Sequence, residues 1–452
     1  MTASALFRTE FREDHLKILF AQSLYGTSSV GIDYMTTDSF SSNLDFYISA
    51  ISKKALSGKY SFTPYRQLLV SKGAGKLPRV LSIPTVRDRL TLKALSDILG
   101  KTFGERCKTP QPQLIISELS NAISAKTYSA YIKLDLEDFY GSIPHEPLIK
   151  TIRSSIRKQE ILQLIQSAIT TPTVPLGLKA TRSNEKGLPQ GLSISNQLSN
   201  LYASKLDFAI QRKYPKVLYK RYVDDILILC SPDEILQVKV YAESVARKLG
   251  LKLSKEKCTD GIIETNAVEY LGYRFLDGII SVRESSKRKI ESSLEKAIRA
   301  ISHSNNSKKT ENKSWLYKDL YRRITGCKVT YDGISYTRYG WLFYYSRIND
   351  VAYLGKLDSL VHKLAKRYNV KLGEELPRFK VAYYQIRYNG RESNYFPVFD
   401  FSRSAANIRA QLTGLVAKEI IDSYSDDDIR QLFQRVVNRI IRTLEKDVGT
   451  VS

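Results

Sequence analysis

Two adjacent carboxylates, Asp224 and Asp225, stand in the stretch YKRYVDDILI (219–228), between two apolar runs of β character. One reading is a hairpin reversal, since Asp tolerates the backbone angles of tight turns. The other reading is chemical. A third carboxylate, Asp135, closes the apolar run YSAYIKLDL (128–136), just before a turn and a helix. If the two segments neighbour each other in one sheet, three carboxylates meet at one edge and repel unless cations neutralise them. Hard divalent ions with oxygen ligands, chiefly Mg²⁺, are the natural counterions. Two such ions about 4 Å apart clamp the attacking and leaving oxygens of an in-line phosphoryl displacement. Alone, Asp135 reads equally well as a strand-end residue capping a helix.

A third segment, GLPQGLSISNQLSNLYASKLD (187–207), places Gly187, Pro189 and Gly191 in a tight loop. Small residues follow on the next turn, Ser193, Ser195 and Asn196. Such a surface lets a base pair or nucleotide lie against the backbone. Ordinary turns use the same residues, so the segment alone does not decide.

These groups need a scaffold, and the sequence predicts an α+β one. Residues 57–84 alternate short β runs with Gly, Pro and basic residues, a small basic sheet with a Gly-rich turn at KGAGK. Helical patterning covers 85–125, a buried strand 128–136, and a helix with Pro144 near its start follows. A Pro/Gly/Thr-rich connection (171–187) leads to a helix over 192–213 and the hairpin 217–230. Ser231, Pro232 and Glu234 then form a helix start with a capping box, and Gly250 is its stop. Two short β segments end near 283, and helices dominate to about 367. A β-leaning stretch, FKVAYYQIRYNG (379–390), precedes a final amphipathic helical region near 403–447. Within 128–283 the order implies a sheet with helices on one face.

Composition limits the partners. The 452 residues carry 70 Lys plus Arg against 46 acidic residues, a formal charge of +24. That excess implies an anionic partner, either a nucleic-acid backbone or an acidic membrane surface. The 29 Tyr residues offer rings on which bases can stack. Cys107, Cys230, Cys258 and Cys327 lie far apart, without zinc spacing, and read as reduced thiols of a cytoplasmic protein. No secretory h-region opens the chain and no run of 18 apolar residues occurs, so the protein is expected to be neither secreted nor membrane-spanning.

Taken together and in order, the three segments resemble the palm motifs of reverse transcriptases. LDLEDFYGSI resembles the first catalytic motif, GLPQGLSISN the second and YVDD the third. GKLPRVLSIPTVRDRL (75–90) looks like the fingers motif of bacterial and group II intron enzymes. GLKLSKEKC (250–258) resembles the motif that presents a lysine near the triphosphate, and YLGYRF (270–275) resembles the primer grip. YGWLFYYSRIND (339–350) is similar to a thumb element of the intron enzymes, with an aromatic core as the plain alternative.

The resemblance implies a right-hand polymerase: an N-terminal extension and fingers (1–125), a palm (126–285), a helical thumb (286–366) and a C-terminal region (367–452) of unassigned role. It implies that Asp135, Asp224 and Asp225 hold two Mg²⁺ ions, or Mn²⁺ in their place, with the carbonyl of Leu136 contributing. Tyr140 matches the steric gate that excludes a ribose 2′-OH and so favours dNTPs. Gln190 lines the nucleotide and template side. Lys76 and Arg79 bind the triphosphate, and Lys257 neutralises or protonates the departing pyrophosphate. For these three basic residues a solvated surface face is the alternative. Tyr270, Leu271, Gly272 and Tyr273 would form the primer grip.

What kind of reverse transcriptase follows by elimination. No His-Asn-His element or Cys pairs mark an intron endonuclease, and no acidic quartet marks an RNase H. Retron enzymes carry Val-Thr-Gly where this chain has YLGYRF, and its ITG (324–326) falls too late. The remaining likeness is to stand-alone bacterial enzymes of antiphage defence. Those act with a dedicated noncoding RNA as template, a DNA product, and in some cases a companion protein; a homo-oligomer is equally compatible. A maturase-like RNA-binding protein and an RNA-dependent RNA polymerase are the competing readings.

Overall fold

The structure, a computed structural model, describes residues 2–27, 29–71, 75, 77–178, 182–305, 313–373, 375–389 and 395–449. The KGAGK turn, apart from Gly75, lies outside the described residues. The chain forms two compact units. One comprises Met1–Pro110 and Ser129–Gly261, the other Gln111–Tyr128 and Ile262–Ser452.

The strands of the first unit are β1 (Tyr65–Val70), β2 (Arg79–Ile83), β3 (Ala130–Asp135), β4 (Thr173–Val174), β5 (Leu218–Tyr222), β6 (Asp225–Cys230) and β7 (Thr259–Ile262). They make two sheets, ordered β2-β1-β4 and β5-β6-β3-β7. The run ILIL in β6 is wholly buried, as a short unbroken apolar run in a central strand should be. Helices Ser195–Lys213 and Ile235–Lys248 pack on this sheet and bury Leu198, Leu201, Leu206, Val238 and Ala242. The expected capping box forms, with the Glu234 carboxylate accepting from the Ser231 N–H at 3.1 Å. Gly250 takes a φ of +71° after the second helix, the left-handed ending that favours glycine.

In the second unit β8 (Val268–Tyr270), β9 (Tyr273–Leu276) and β10 (Ile279–Val282) form a meander. A second sheet orders β12 (Thr337–Tyr339), β11 (Cys327–Thr330) and β13 (Val398–Asp400). Strands β11 and β12 interrupt the stretch expected to be helical; they are too short for periodicity to reveal, and β11 is buried along its whole length.

The β-leaning stretch 379–390 needs correction, because Phe379–Tyr388 is a helix. Its apolar residues Phe379, Ala382 and Tyr383 bury one face at helical spacing. Asp358 accepts from the Phe379 and Lys380 N–H groups at the helix start. Phe379 meets Trp341 edge-on, with ring centroids 6.1 Å apart. Packing and capping thus override the β preference of the aromatic residues. Residues 398–444 share one core with β11, in which Phe399, Ile429, Phe433, Val437 and Ile440 surround Cys327 and Val329. All four cysteines are free; Cys107, Cys230 and Cys327 are buried and Cys258 partly so.

Candidate active site

Strand β3 pairs antiparallel with β6 in a register that sets Asp135 opposite Asp225. Directly opposed residues project to the same face of a sheet. Tyr222 also pairs with Asp225, so Val223 and Asp224 alone make the hairpin reversal. The Leu136 N–H donates to the Asp224 carbonyl at 3.0 Å, tying the end of β3 to that reversal. On its other side Leu136 bridges Leu253, flanked by bonds from Glu137 N–H to the Lys252 carbonyl and from Ser254 N–H to the Asp135 carbonyl. This short extension delivers Lys257, whose Nζ donates to both oxygens of Asp135 at 3.0 and 2.9 Å.

Electrostatics at this corner are those of crowded carboxylates. Burial pushes the Asp224 carboxyl upward, and the Asp135 charge adds to that, while Lys257 and Arg79 oppose it. Burial pulls the Lys257 ammonium down, but its bond to Asp135 and the charges of Asp135, Asp224 and Asp225 raise it overall. Asp224 Oδ1 is buried without a hydrogen-bond partner among the described residues. Among those residues no three His, Cys, Asp or Glu side chains close around one metal-sized point; here Asp135 is turned onto the Lys257 ammonium. The donor set still fits a divalent cation: three hard carboxylates on adjoining strand ends, one orphaned buried oxygen, and a cation already on Asp135.

The glycine loop meets this corner from the side. Gly187 takes a φ of +82° and Gly191 one of +109°. A Cβ on Gly187 would lie 2.8 Å from the Gly141 carbonyl oxygen, and one on Gly191 2.8 Å from the Ser82 carbonyl oxygen. Only glycine allows that conformation and that approach together. The Gln190 carbonyl accepts from the Ser82 N–H at 2.6 Å, and the Leu188 N–H donates to the Tyr140 carbonyl at 2.8 Å. The loop thereby joins β2 to the turn after β3. Tyr140 OH donates to Asn196 Oδ1 at 3.3 Å. Burial raises its phenol, and the Asp224 charge acts in the same direction. Arg79, on β2, is close enough for its charge to act on both Asp224 and Tyr140. Lys76 lies outside the described residues.

Within the second unit, Tyr270, Leu271 and Tyr273 are buried. Tyr273 OH donates to the Tyr344 carbonyl and Tyr344 OH to the Leu271 carbonyl. Gly272, at φ +80°, is pressed against the Tyr345 hydroxyl. The rings expected to grip a primer are therefore core, leaving only the turn's surface for a nucleic acid. Trp341 is likewise fully buried, against Tyr345, Tyr353 and Phe379.

Sequence reasoning passed over a group beneath the hairpin. Arg221 Nε and Nη2 donate to the two oxygens of Asp207, each at 2.7 Å, and Nη1 donates to Asn200 Oδ1 at 3.1 Å and to the Val223 carbonyl at 2.9 Å. Asn196 and Asn200 both donate to Thr109 Oγ1, at 2.8 and 2.9 Å. The signal lay in the helix Ser195–Lys213, where Asn196, Asn200 and Asp207 fall on one face by helical spacing.

The reverse transcriptase (RNA-dependent DNA polymerase) family model matches residues 70–275. YkfC of Escherichia coli K12 is 24% identical over 302 residues, covering 56% of this chain and 77% of that protein. The group II intron-encoded protein LtrA of Lactococcus lactis subsp. cremoris is 28% identical over 218 residues, 46% of this chain and 35% of that one. The retron Ec86 reverse transcriptase of Escherichia coli is 29% identical over 149 residues, 32% of this chain and 42% of that one. The chain thus spans less than half the length of these intron and retron relatives. The family match encloses β3, the glycine loop, the hairpin and Lys257. Residues 70–275 thus carry a reverse transcriptase (RNA-dependent DNA polymerase) domain, and the relatives to which the chain is similar include group II intron and retron proteins.

Proposed function

We propose that this enzyme adds dNTPs to a primer on an RNA template by two-metal phosphoryl transfer, with Asp135, Asp224 and Asp225 as the metal carboxylates. The observation that carries the reading is the register of β3 and β6, which sets Asp135 opposite Asp225 with Asp224 in the reversal. Reverse transcriptases use divalent metal ions; two Mg²⁺, with Mn²⁺ as substitute, would stabilise the charge on the attacking and leaving oxygens. The Leu136 carbonyl is a neutral oxygen at the same strand end. Arg79 and Lys76 hold the triphosphate as charge-assisted donors. Tyr140 closes the space a ribose 2′-OH would need, and Gln190 lines the template side. Lys257, its side chain 65% exposed, supplies a mobile ammonium for the departing pyrophosphate. Tyr270–Tyr273 contact the primer through the turn's surface. Primer extension with Asp224→Asn and Asp225→Asn tests the assignment: activity equal to wild type would sink it.

We read residues 1–125 as N-terminal extension and fingers, 126–285 as palm, 286–366 as thumb and 367–452 as a region that completes the thumb's core. The biological reading is antiphage defence in the bacterial cytoplasm, with a dedicated noncoding RNA and room for a companion protein or a second copy. Two features support an RNA partner. One is the charge of +24. The other is a groove of about 1100 Å³ in the second unit, lined by Lys328, Arg338, Arg347, Arg387, Tyr336 and Tyr388 among others, with no Asp or Glu among its described lining residues. No helix among the described residues is long and apolar enough to cross a membrane. Purification from the host and sequencing of co-purifying RNA and DNA tests this reading; absence of one enriched RNA species counts against it.

A further inference from the structure

Val223 has a φ of +58°. A left-handed conformation is an outlier for a β-branched residue, and two-residue hairpin turns usually place Gly, Asn or Asp at such a position. The strain sits on the residue immediately before Asp224, so something outside the turn must hold it.

Arg221 is the group in place to do so. Its Nη1 donates to the Val223 carbonyl at 2.9 Å. That oxygen belongs to the peptide linking Val223 to Asp224, and fixing the plane of that peptide fixes the direction from which the Asp224 side chain departs. The guanidinium has little freedom of its own. Asp207 takes it in a two-pronged bond at 2.7 Å on each prong, and Tyr219 OH donates to the same carboxylate at 2.7 Å. Asn200 Oδ1 accepts from Nη1 at 3.1 Å, and the Asn200 amide is held in turn by Thr109. The Arg221 side chain is 8% exposed. A planar fork with several donors in fixed directions performs this task; a lysine, with one donor atom, does not.

We propose that Arg221, locked by Asp207 and Asn200, is the positioning residue of the catalytic reversal: it holds Val223 in the left-handed region so that Asp224 faces Asp135 and Asp225. The inference rests on the reading of Asp224 as a metal carboxylate. The same helix face supports the gate, since Asn196, one turn before Asn200, accepts from Tyr140 OH and donates to Thr109.

Glycine needs no support at positive φ, and this supplies the test. Four full-length proteins are compared: wild type, Arg221→Gln, Val223→Gly and the double variant, with Asp224→Asn alongside. Primer extension gives kcat and dNTP KM, Mn²⁺ binding is read by electron paramagnetic resonance, and thermal melting reports the fold. Arg221→Gln is expected to lower kcat and weaken Mn²⁺ binding by about 10–100-fold, as for other groups that orient metal ligands, with dNTP KM nearly unchanged. The double variant is expected to return to within about threefold of Val223→Gly alone, the coupling expected of two groups acting through one bond. A double variant as impaired as Arg221→Gln overturns the proposal, as does a kcat loss that only follows the melting temperature. If Arg221→Gln does not fold, Arg221→Lys keeps the charge beside Asp207, and the same glycine rescue is required of it. Wild-type activity in Asp224→Asn overturns the catalytic reading and this proposal together. An inactive Asp224→Asn beside a fully active Arg221→Gln overturns this proposal alone.

Discussion

Lys257 places its ammonium on both oxygens of Asp135, at 3.0 and 2.9 Å, although Asp135 comes from β3 and Lys257 from the loop after the Leu253 bridge. A cation on that carboxylate competes with any other cation seeking it.

Replacing Lys257 with Met is therefore expected to act in two directions. Half-maximal primer extension should need less Mg²⁺, because a competing charge is gone. The rate at saturating Mg²⁺ should fall by about 10²-fold, the usual scale of a lost proton donor or charge stabiliser. A Mg²⁺ titration of both proteins decides; an unchanged or higher Mg²⁺ requirement contradicts the competition.

Tyr140→Ala removes the ring that hydrogen-bonds Asn196. Discrimination of dNTP over rNTP, measured as the ratio of kcat/KM values, should drop by about 10–100-fold, the range that steric fit commonly supplies. A wild-type enzyme that already prefers rNTPs would refute the gate.

Changing Arg338, Arg347 and Arg387 together to Ala removes three cations from the second unit's groove. Single-stranded RNA binding should weaken, and the slope of log K against log salt should flatten by about 2, near 0.7 for each lost phosphate contact. Filter binding over a salt series measures both. An unaltered slope would place the RNA elsewhere.

Asp447 joins the helix Asp426–Val448 to the helices Glu284–Asn305 and Lys313–Thr325, accepting from Arg323 Nη1 at 2.7 and 3.0 Å and from Ser293 Oγ at 2.5 Å. Both members of the ion pair are largely buried. Asp447→Ala removes one of the two carboxylates on the Arg323 guanidinium, Asp319 still accepting from Nε at 2.8 Å, and the lost charge-assisted bonds should cost about 1.5–3 kcal/mol. Denaturant unfolding should register the loss; a change below about 1 kcal/mol would show that the pair is solvated after all.

Much of the first unit was legible in the sequence because its signals are local. The unbroken run ILIL marks β6, the capping box at Ser231 marks a helix start, and Gly187 and Gly191 mark a close approach. The meeting of Asp135 with Asp225 was harder to read, since only cross-strand register brings the two together, and it was the order of motifs that suggested it. Arg221 and Asp207 went unread because a fork between a strand and a helix has no fixed spacing along the chain. The helix Phe379–Tyr388 was mistaken for β structure because its aromatic residues favour strands when unpacked, while Trp341 and Asp358 supply packing and cap from afar. Tyr270 and Tyr273 are expected in a primer grip, and only the fold shows both rings buried, Tyr273 against Tyr344 and Tyr345.

The parallel pairing of β11 with β13, Lys328 beside Val398 and Thr330 beside Asp400, has a consequence for biosynthesis. During translation β11 leaves the ribosome well before its partner exists. Until then one edge of β11 is an open template for foreign strands, and Cys327 and Val329 lack the cover of Phe399 and Phe433. The second unit must therefore close late, after most of the chain has been made. Ribosomes stalled between residues 330 and 398 would hold the most aggregation-prone nascent form of this protein.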